Sequence, residues 1–401
     1  MNLHKALLIS FICLIGIALS GCAGHSLAPS TPIPPTLMVT NFPSETQMLL
    51  PSPTPPPTLT PAAAPLPTPQ GRIELSSRTL SLAVDNQYVY WMPSQGRIVR
   101  QPFIEGQNEL PETFATTRYP NGRLDLLPMQ RNGDWLFFVD CDTPGIPTDW
   151  MVRAVNVNTG TEKVVAQSQG TSILYDFNAD AGRVAMNLSD WGPDKKCPGA
   201  DKADAVLAIT QIDTGKREEL DRVCFDQAEW LNVALSGDNL FATRADAHQT
   251  TSDVILFNLL DGSSRQLSQS LDEPATGLLA AQGAWVAWDT SGGTLLYNTA
   301  SGNHWLVSPS EQSGPLQYPS IDGTWLYWTD WAADGYKVVV YDMQQKEMVI
   351  LAAPGDNEQV WEPYIYGKMI VWERSLQIDQ ANGNNFLEWT KLPKSALPAT
   401  P

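Results

Sequence analysis

The stretch IDGTWLYWTD, Ile321 to Asp330, contains the unit from which most of this chain is built. A turn residue comes first, an alternating apolar strand follows, and an acid closes the unit. The same plan is seen in QGAWVAWD (Gln282 to Asp289), NGDWLFFVD (Asn132 to Asp140) and YGKMIVWE (Tyr366 to Glu373). Aromatic and β-branched residues at period two are typical of strands that pack on both faces. The unit therefore predicts short, buried strands that recur along the chain.

Seven copies of the unit follow one another at a period of roughly 40 to 55 residues, which is typical of blade-like repeats. Their turn residues are Asp85, Gly133, Gly182, Gly237, Gly283, Gly323 and Gly367. A second turn, such as Asn156 to Gly160, recurs after the third strand, and Lys346 stands at its glycine position after Asp342. Glycine permits the positive φ that a tight hairpin needs. We expect an all-β fold, a β-propeller of seven four-stranded blades, with six or eight blades as the alternatives.

The two ends of the repeat region complete one blade in this interpretation. NFLEWTKL (Asn385 to Leu392) supplies the third strand of the last blade, and RIELSS (Arg72 to Ser77) supplies the fourth. Such closure removes the free edges of a ring of sheets. Because the repeats run without a break, residues 71–401 are expected to form a single domain.

The chain resembles bacterial and archaeal surface β-propeller repeats and the TolB-like propeller. The resemblance is carried by YPSIDGTWLYWTDWAADGYKVVVYDMQQKE (Tyr318 to Glu347) and YIYGKMIVWE (Tyr364 to Glu373), and it covers most of residues 79–390. It implies a propeller fold, and that fold serves many unrelated functions.

The first 21 residues have the features of a signal peptide, since Lys5 precedes an apolar run too short to span a bilayer comfortably. The run ends in Leu19-Ser20-Gly21-Cys22, which resembles a bacterial lipobox. This resemblance implies lipidation of Cys22 with fatty acyl chains such as palmitate, and a mature protein tethered to a membrane outside the cytoplasm. An ordinary signal peptide or an N-terminal membrane helix is the alternative.

Residues 22–70 are interpreted as the lipidated cysteine followed by a disordered linker. Residues 26–70 contain 14 of the 32 prolines, many Thr and Ser, and a single charged residue, Glu45. Such a composition cannot bury enough apolar surface to offset the entropy of ordering. The linker is expected to hold the domain away from the membrane.

The net charge of −18 disfavours nucleic acid as a partner, because phosphate contacts need clustered Lys and Arg. Cys141, Cys197 and Cys224 remain in the predicted mature domain. A disulfide is expected outside the cytoplasm, with Cys197–Cys224 favoured over Cys141–Cys197. There is no CxxC pair and histidine is scarce, so neither a metal site nor a cofactor is expected.

Acids that follow the second strands suggest a binding rim. Two of them precede Trp directly, and a third Trp lies in the corresponding long loop of blade 2. Aromatic faces stack on sugar rings or cations, and carboxylates accept hydrogen bonds. The alternative is that the acids cap strand ends while the Trp side chains pack between blades. The candidate rim comprises Asp140, Trp150, Asp190, Trp191, Asp330 and Trp331.

Two functions follow from these observations. The first is a surface-anchored, non-catalytic platform that binds an unidentified protein or glycan. The second is an extracytoplasmic carbohydrate-active enzyme with a carboxylate pair near the central tunnel. No GxSxG motif or histidine constellation supports another enzyme class.

Overall fold

A computed structural model describes residues 66–392 of the chain, apart from 76–78, 80, 95, 104–109, 118–126, 142–148, 169–170, 200–201, 247–251, 272–273, 276–277, 292, 308–316, 333–334 and 377–383. Cys22, the predicted signal peptide and the linker up to residue 65 lie outside the described residues. Within the described part of the chain, no helix has the length and apolar character needed to cross a bilayer.

The described residues form 28 strands and one short helix, and the strands build seven four-stranded antiparallel sheets. Blade 1 contains β2 (Leu82–Val84), β3 (Tyr88–Ser94), β4 (Arg97–Pro102) and β5 (Glu112–Thr116). Blade 2 contains β6 (Gln130–Asn132), β7 (Trp135–Cys141), β8 (Trp150–Asn156) and β9 (Glu162–Gln167). Blade 3 contains β10 (Ser172–Asp180), β11 (Arg183–Asp190), β12 (Asp204–Gln211) and β13 (Arg217–Cys224).

The remaining four blades follow the same order. Blade 4 contains β14 (Ala228–Ser236), β15 (Asn239–Asp246), β16 (Ser252–Asn258) and β17 (Ser264–Gln266), and α1 (Leu267–Leu271) follows it. Blade 5 contains β18 (Leu279–Gln282), β19 (Trp285–Thr290), β20 (Gly293–Asn298) and β21 (His304–Val307). Blade 6 contains β22 (Gln317–Asp322), β23 (Trp325–Ala332), β24 (Gly335–Asp342) and β25 (Glu347–Ala352). Blade 7 combines β26 (Glu358–Tyr366), β27 (Met369–Leu376) and β28 (Asn385–Lys391) with β1 (Gly71–Leu75).

The first strands of the blades form a ring about a central axis. Each of β2, β6, β10, β14, β18, β22 and β26 contacts the first strand of the next blade, and β26 contacts β2. This arrangement confirms the predicted all-β propeller with seven four-stranded blades. Apolar side chains fill the spaces between adjacent blades, as in the cluster that joins Trp328 of blade 6 to Leu296 of blade 5.

The ring is closed by the N-terminal strand. β1 pairs with β28 from Gly71 opposite Trp389 to Leu75 opposite Asn385. Ile73 and Leu75 are buried in one cluster with side chains of blade 1. The predicted origins of the third and fourth strands of the last blade are thereby confirmed.

The hairpin turns have the backbone geometry that the repeat predicts. Gly323 has φ 61°, a conformation that favours glycine. Lys346 adopts φ 58° at the position where the other repeats have glycine. The Asp342 carboxylate accepts hydrogen bonds from the N–H groups of Gln344 and Gln345, at 2.9 and 3.0 Å, which helps to hold this strained turn.

Polar side chains near the axis join neighbouring blades. In β10, Asp176, Asn178 and Asp180 accept hydrogen bonds of 2.6–2.9 Å from backbone N–H groups of blade 4. The donors are Val233, Leu235 and Gly237. The side chains thus satisfy the inner edge of the next sheet, whose N–H groups have no strand beside them.

Asp176 is the most strongly perturbed of these axial carboxyls. Burial raises the pKa of Asp176 to about 7, although hydrogen bonds from the N–H groups of Val233 and Phe177 favour the charged form. The carboxyl serves as a link between blades, and its two backbone donors occupy both of its oxygens.

Candidate binding site at the end of blade 3

The second strands of all blades end on the same face of the ring, which we call the rim face. Because neighbouring strands are antiparallel, the links between blades lie on this face as well. In blade 3, Ser172 pairs with Asp190, Asp190 with Asp204, and Asp204 with Cys224. One end of each of the four strands therefore lies on the rim face.

Two of the predicted rim acids are buried at strand ends instead of facing solvent. Asp140 is fully buried and its Oδ2 lies 2.9 Å from Nη1 of Arg153 on the next strand. Asp330 is buried opposite Lys337 in the strand register. The structure therefore corrects the expectation that Asp140 and Asp330 form an open rim. The register explains the difference, because it places cationic partners beside the ends of the second strands.

Asp289 and Glu373 show the same use of a carboxylate at a strand end. The Thr294 hydroxyl donates a 2.6 Å hydrogen bond to Asp289, and burial raises the pKa of this carboxyl to about 6. The Thr79 hydroxyl, which precedes blade 1, donates a 2.6 Å hydrogen bond to Glu373 in blade 7.

The two predicted rim tryptophans outside blade 3 do not form a described surface. Trp150 is fully buried, and its Nε1–H donates a 3.0 Å hydrogen bond to the Ser172 carbonyl oxygen in blade 3. It is the first residue of β8 and packs between blades, so it is not a rim residue. The side chain of Trp331 lies outside the described residues, although its backbone belongs to β23.

In blade 3, by contrast, an acid and a tryptophan of the predicted rim meet in an organised cluster. Asp190 forms an ion pair with Arg222, at 2.9 Å between Oδ2 and Nη1, and its other carboxylate oxygen accepts the Gly192 N–H. Trp191 follows Asp190, and its own N–H is bonded to the Thr171 carbonyl oxygen. Trp191 as a whole is 41% exposed.

Arg222 lies at the centre of this cluster. The same Nη1 that contacts Asp190 also lies 2.9 Å from Oδ2 of Asp204, which is fully buried. The guanidinium also binds both carboxylate oxygens of Glu219, at 2.6 and 2.8 Å. A bidentate pair of this kind has defined geometry and is stronger than a single ion pair.

The loop between β11 and β12 is fixed at both of its sides. Cys197 forms a disulfide with Cys224 at the end of β13. The Asp204 carboxylate accepts hydrogen bonds from the N–H groups of Lys196 and Cys197, at 2.6 and 2.8 Å. The structure therefore contains the disulfide that the sequence favoured, and Cys141 is buried and not part of it.

Three partly exposed aromatic side chains occupy this end of the blade. We call it the blade 3 apex, which comprises Tyr175, Trp191, Phe225 and the described loop residues 191–199, 202 and 203. Tyr175 stands at a β-bulge in the inner strand β10 and is 45% exposed. Phe225 follows the outer strand β13 and is 39% exposed, with its N–H bonded to the Ala203 carbonyl oxygen. The three rings therefore extend from the axial strand to the outer strand, and the backbone N–H groups of Trp191 and Phe225 are hydrogen-bonded.

Charged groups lie close to the aromatic residues of the apex, and one of them stands over a ring. Lys195 Nζ lies 6.0 Å from the centre of the Trp191 ring and donates a hydrogen bond to the Lys202 carbonyl oxygen. Burial and the nearby Glu229 carboxylate raise the pKa of Tyr175. Burial also raises the pKa of Glu229, which lies on the inner strand of blade 4. The apex has aromatic faces with polar groups close by.

Two other kinds of site have candidate residues in the structure, a metal site at the apex and a catalytic pair of carboxylates near the axis. Cys197, Cys224 and Asp226 bring possible ligand atoms close together, but both sulfurs belong to the disulfide and offer no thiolate. Near the axis, the carboxylates of Asp180 and Asp322 each accept a 2.6 Å hydrogen bond from a glycine N–H of the next blade. These acids have a structural role in the ring.

Tyr175 and Phe225 were not among the residues predicted from the sequence. Tyr175 reaches the surface because of the bulge between Leu174 and Asp176, which a repeat pattern does not reveal. Phe225 had a usable signal, because an aromatic residue in the polar stretch CFDQ, between two strands, is poorly placed for burial.

Comparison with known proteins shows similarity of fold. No protein-family model and no curated protein match this chain. Among solved structures, an acylaminoacyl peptidase from Pyrococcus horikoshii aligns with a TM-score of 0.54 at 10% identity, covering 81% of this chain and 53% of the peptidase. The chain spans about half the length of such peptidases, with 51% for a second acylaminoacyl peptidase and 45% for a prolyl endopeptidase.

Two further solved structures match over nearly their whole length. The propeller domain of the Trilobed protease from Pyrococcus furiosus has a TM-score of 0.51 at 9% identity, covering 82% of this chain and 97% of the domain. It is described as having an open velcro topology, whereas β1 closes the present ring. An oligogalacturonate lyase in complex with manganese has a TM-score of 0.50 at 12% identity, covering 82% and 92%. At these identities the similarity shows the propeller fold alone.

Proposed function

We propose that this protein is a non-catalytic binding platform, and that the blade 3 apex is the surface on which it binds a protein or glycan partner. The observation that carries the proposal is the set of three exposed rings at one blade end, where Phe225 adjoins the disulfide and Trp191 adjoins the ion pair of Asp190 with Arg222. Rigid aromatic side chains supply contact area with little loss of entropy on binding.

The chemistry of the acids supports binding over catalysis. A glycosidase needs a general acid and a second carboxylate on either side of the scissile bond. Asp140, Asp190, Asp204 and Asp289 instead meet an arginine, a threonine hydroxyl or backbone N–H groups inside the blades. The alternative function, a carbohydrate-active enzyme, would need a pair of acids that is free to engage a substrate.

The binding role can be tested with full-length protein and isolated cell-envelope material. We expect a Trp191→Ala, Phe225→Ala double variant to bind envelope material about tenfold more weakly, which corresponds to roughly 1.4 kcal/mol. The reason is the loss of two exposed aromatic anchors, and the measurement is a sedimentation binding isotherm. Leu260→Ala is the matched control, because Leu260 is 75% exposed in a turn on the opposite face. Equal binding by the double variant and this control would rule out the apex.

The anchor belongs to the same proposal. The lipobox-like sequence ending at Cys22 supports a lipid-anchored, extracytoplasmic protein of the lipoprotein class, and the TolB-like resemblance agrees with such a location. We expect radioactive palmitate to label the full-length chain in its host and Cys22→Ala to abolish the label, because the thiol is the acylation site. Cys141→Ala is the control, since that thiol is buried. Labelling that survives in Cys22→Ala would contradict the anchor.

A further inference from the structure

The blade 3 apex combines exposed rings with charged groups, most of which contact one another. The described part of its network contains four cations and five carboxylates: Arg222, Lys195, Lys196, Lys202, Asp190, Asp194, Asp204, Glu219 and Asp226. Most of these groups are already engaged within the chain, as in the 2.6 Å pair between Lys202 and Asp226 and the three acids around Arg222. The chain as a whole carries −18. The described part of the apex therefore has one carboxylate more than it has cations, and its cations are engaged within the chain.

The engagement of the cations bears on the kind of ligand that the apex can recognise. A charged partner is selected by complementary charge that is available at the surface. At the apex, Lys195 and Lys196 donate to the carbonyl oxygens of Lys202 and Arg222, and the arginine itself is occupied by three carboxylates. The groups left to a ligand are the ring faces that Lys195 does not approach, the exposed Asp194 carboxylate, which can accept hydrogen bonds from hydroxyl groups, and the remaining hydrogen-bonding capacity of polar side chains.

The arrangement of the rings favours an elongated ligand. Tyr175 lies on the axial strand, Trp191 follows the second strand, and Phe225 follows the outer strand. Since neighbouring strands lie about 4.8 Å apart, the rings span on the order of 15 Å across the blade end. A protein interface of ordinary size needs roughly 800 Å² from each partner, which three partly exposed rings do not approach. A sugar chain needs only successive ring faces and nearby hydrogen-bonding groups.

We propose that the blade 3 apex binds an uncharged polysaccharide, with sugar rings stacked on Trp191 and Phe225 and the chain directed toward the axis past Tyr175. This inference rests on the proposed binding function and names the class of ligand. Stacking on a neutral chain does not depend on counterion release, so binding should persist when salt is raised.

The test is affinity electrophoresis of full-length protein through gels that contain defined polysaccharides. The uncharged probes are mixed-linkage β-glucan, xylan, glucomannan and glycogen, and the charged probes are polygalacturonate and heparin. We expect at least one uncharged polymer to retard the protein, and 0.3 M NaCl to leave its retardation unchanged. Trp191→Ala should weaken the retardation about tenfold, the loss expected of a main anchor. Trp191→Phe should restore most of it, and Leu260→Ala should match the unmodified protein.

Several results would overturn the inference. Retardation by the charged polymers alone, retardation that salt removes, or full retardation of Trp191→Ala would each exclude the uncharged ligand. The uncharged ligand would also be excluded if none of the uncharged polymers retarded the protein. If the apex variants nevertheless lose binding to cell-envelope material, the platform stands and its ligand is a protein or a charged glycan. If those variants still bind the envelope, both proposals fail. Near-ultraviolet circular dichroism of each variant separates lost contacts from lost folding.

Discussion

Deletion of residues 71–75 is expected to open the propeller ring and to lower the melting temperature of the full-length protein by on the order of 10 °C. The deletion removes β1, whose five residues all pair with β28. It also removes Ile73 and Leu75 from the cluster between blades 7 and 1. Burial of two such side chains is worth about 1.5–3 kcal/mol each, and the lost hydrogen bonds add to this. The sum is a large part of the 5–15 kcal/mol that stabilises a typical protein.

Differential scanning calorimetry measures this loss, and size-exclusion chromatography reports its second consequence. Without β1, strand β28 becomes an exposed edge that can pair with another chain, so self-association is expected. Deletion of residues 56–60 is the control, because it shortens the chain equally and leaves β1 in place. Ile73→Asp tests the same closure at constant length, since it places a carboxylate in an apolar cluster. An unchanged melting temperature in both β1 variants would mean that the ring does not depend on this strand.

The fold could be predicted because the information for it is local and repeated. Gly323 and its six counterparts mark the same hairpin in each blade, and strand alternation follows directly. Lys346 shows that the repeat can tolerate a departure at one turn, where strand pairing and the Asp342 hydrogen bonds hold a φ of 58° without glycine. The contribution of an N-terminal strand to the last blade could also be predicted, because the last repeat has sequence for only three strands.

The site was harder to predict because exposure depends on registers that the repeat does not fix. Trp150 follows a stretch with loop-like composition, yet it begins β8 and its ring is buried between blades. Asp140 meets Arg153 only because β7 and β8 pair in one particular register. Tyr175 needs a bulge to reach the surface. Trp191, in contrast, lies beyond the last paired residue of its strand, so its position in the sequence already indicated a surface residue.

The ion pairs of Arg222 have a direct bearing on whether the apex is rigid. Burial disfavours the charged form of Asp204, but the N–H groups of Lys196 and Cys197 together with the Arg222 guanidinium hold its pKa below the usual value. Hydrogen bonds from Arg222 also lower the pKa of Glu219. Asp204 in turn holds the loop that carries the disulfide. The guanidinium therefore maintains, through Asp204, the backbone on which the exposed rings stand.

Replacement Arg222→Met is expected to destabilise the protein by about 3–5 kcal/mol at pH 7, the usual consequence of leaving a buried charge without its partner. Two of the three carboxylates also have lowered pKa values in the folded state. Their contribution to stability is therefore present above the unfolded pKa near 4 and is lost as pH falls through the lower folded values. The deficit of Arg222→Met should accordingly be largest at neutral pH and shrink toward pH 3.

Guanidinium chloride unfolding at pH 7 and pH 3, with the disulfide intact, measures both parts of this expectation. Lys163→Met is the matched control. It breaks the exposed ion pair between Lys163 of blade 2 and Asp213, which lies in a turn of blade 3. That control should cost less than about 1 kcal/mol, as exposed ion pairs do. Arg222→Lys should lie between the two, since it keeps one charge and loses the bidentate geometry. A deficit of the same size at both pH values would show that Arg222 stabilises blade 3 through packing instead of charge. The apex would then not depend on ion pairs for its rigidity.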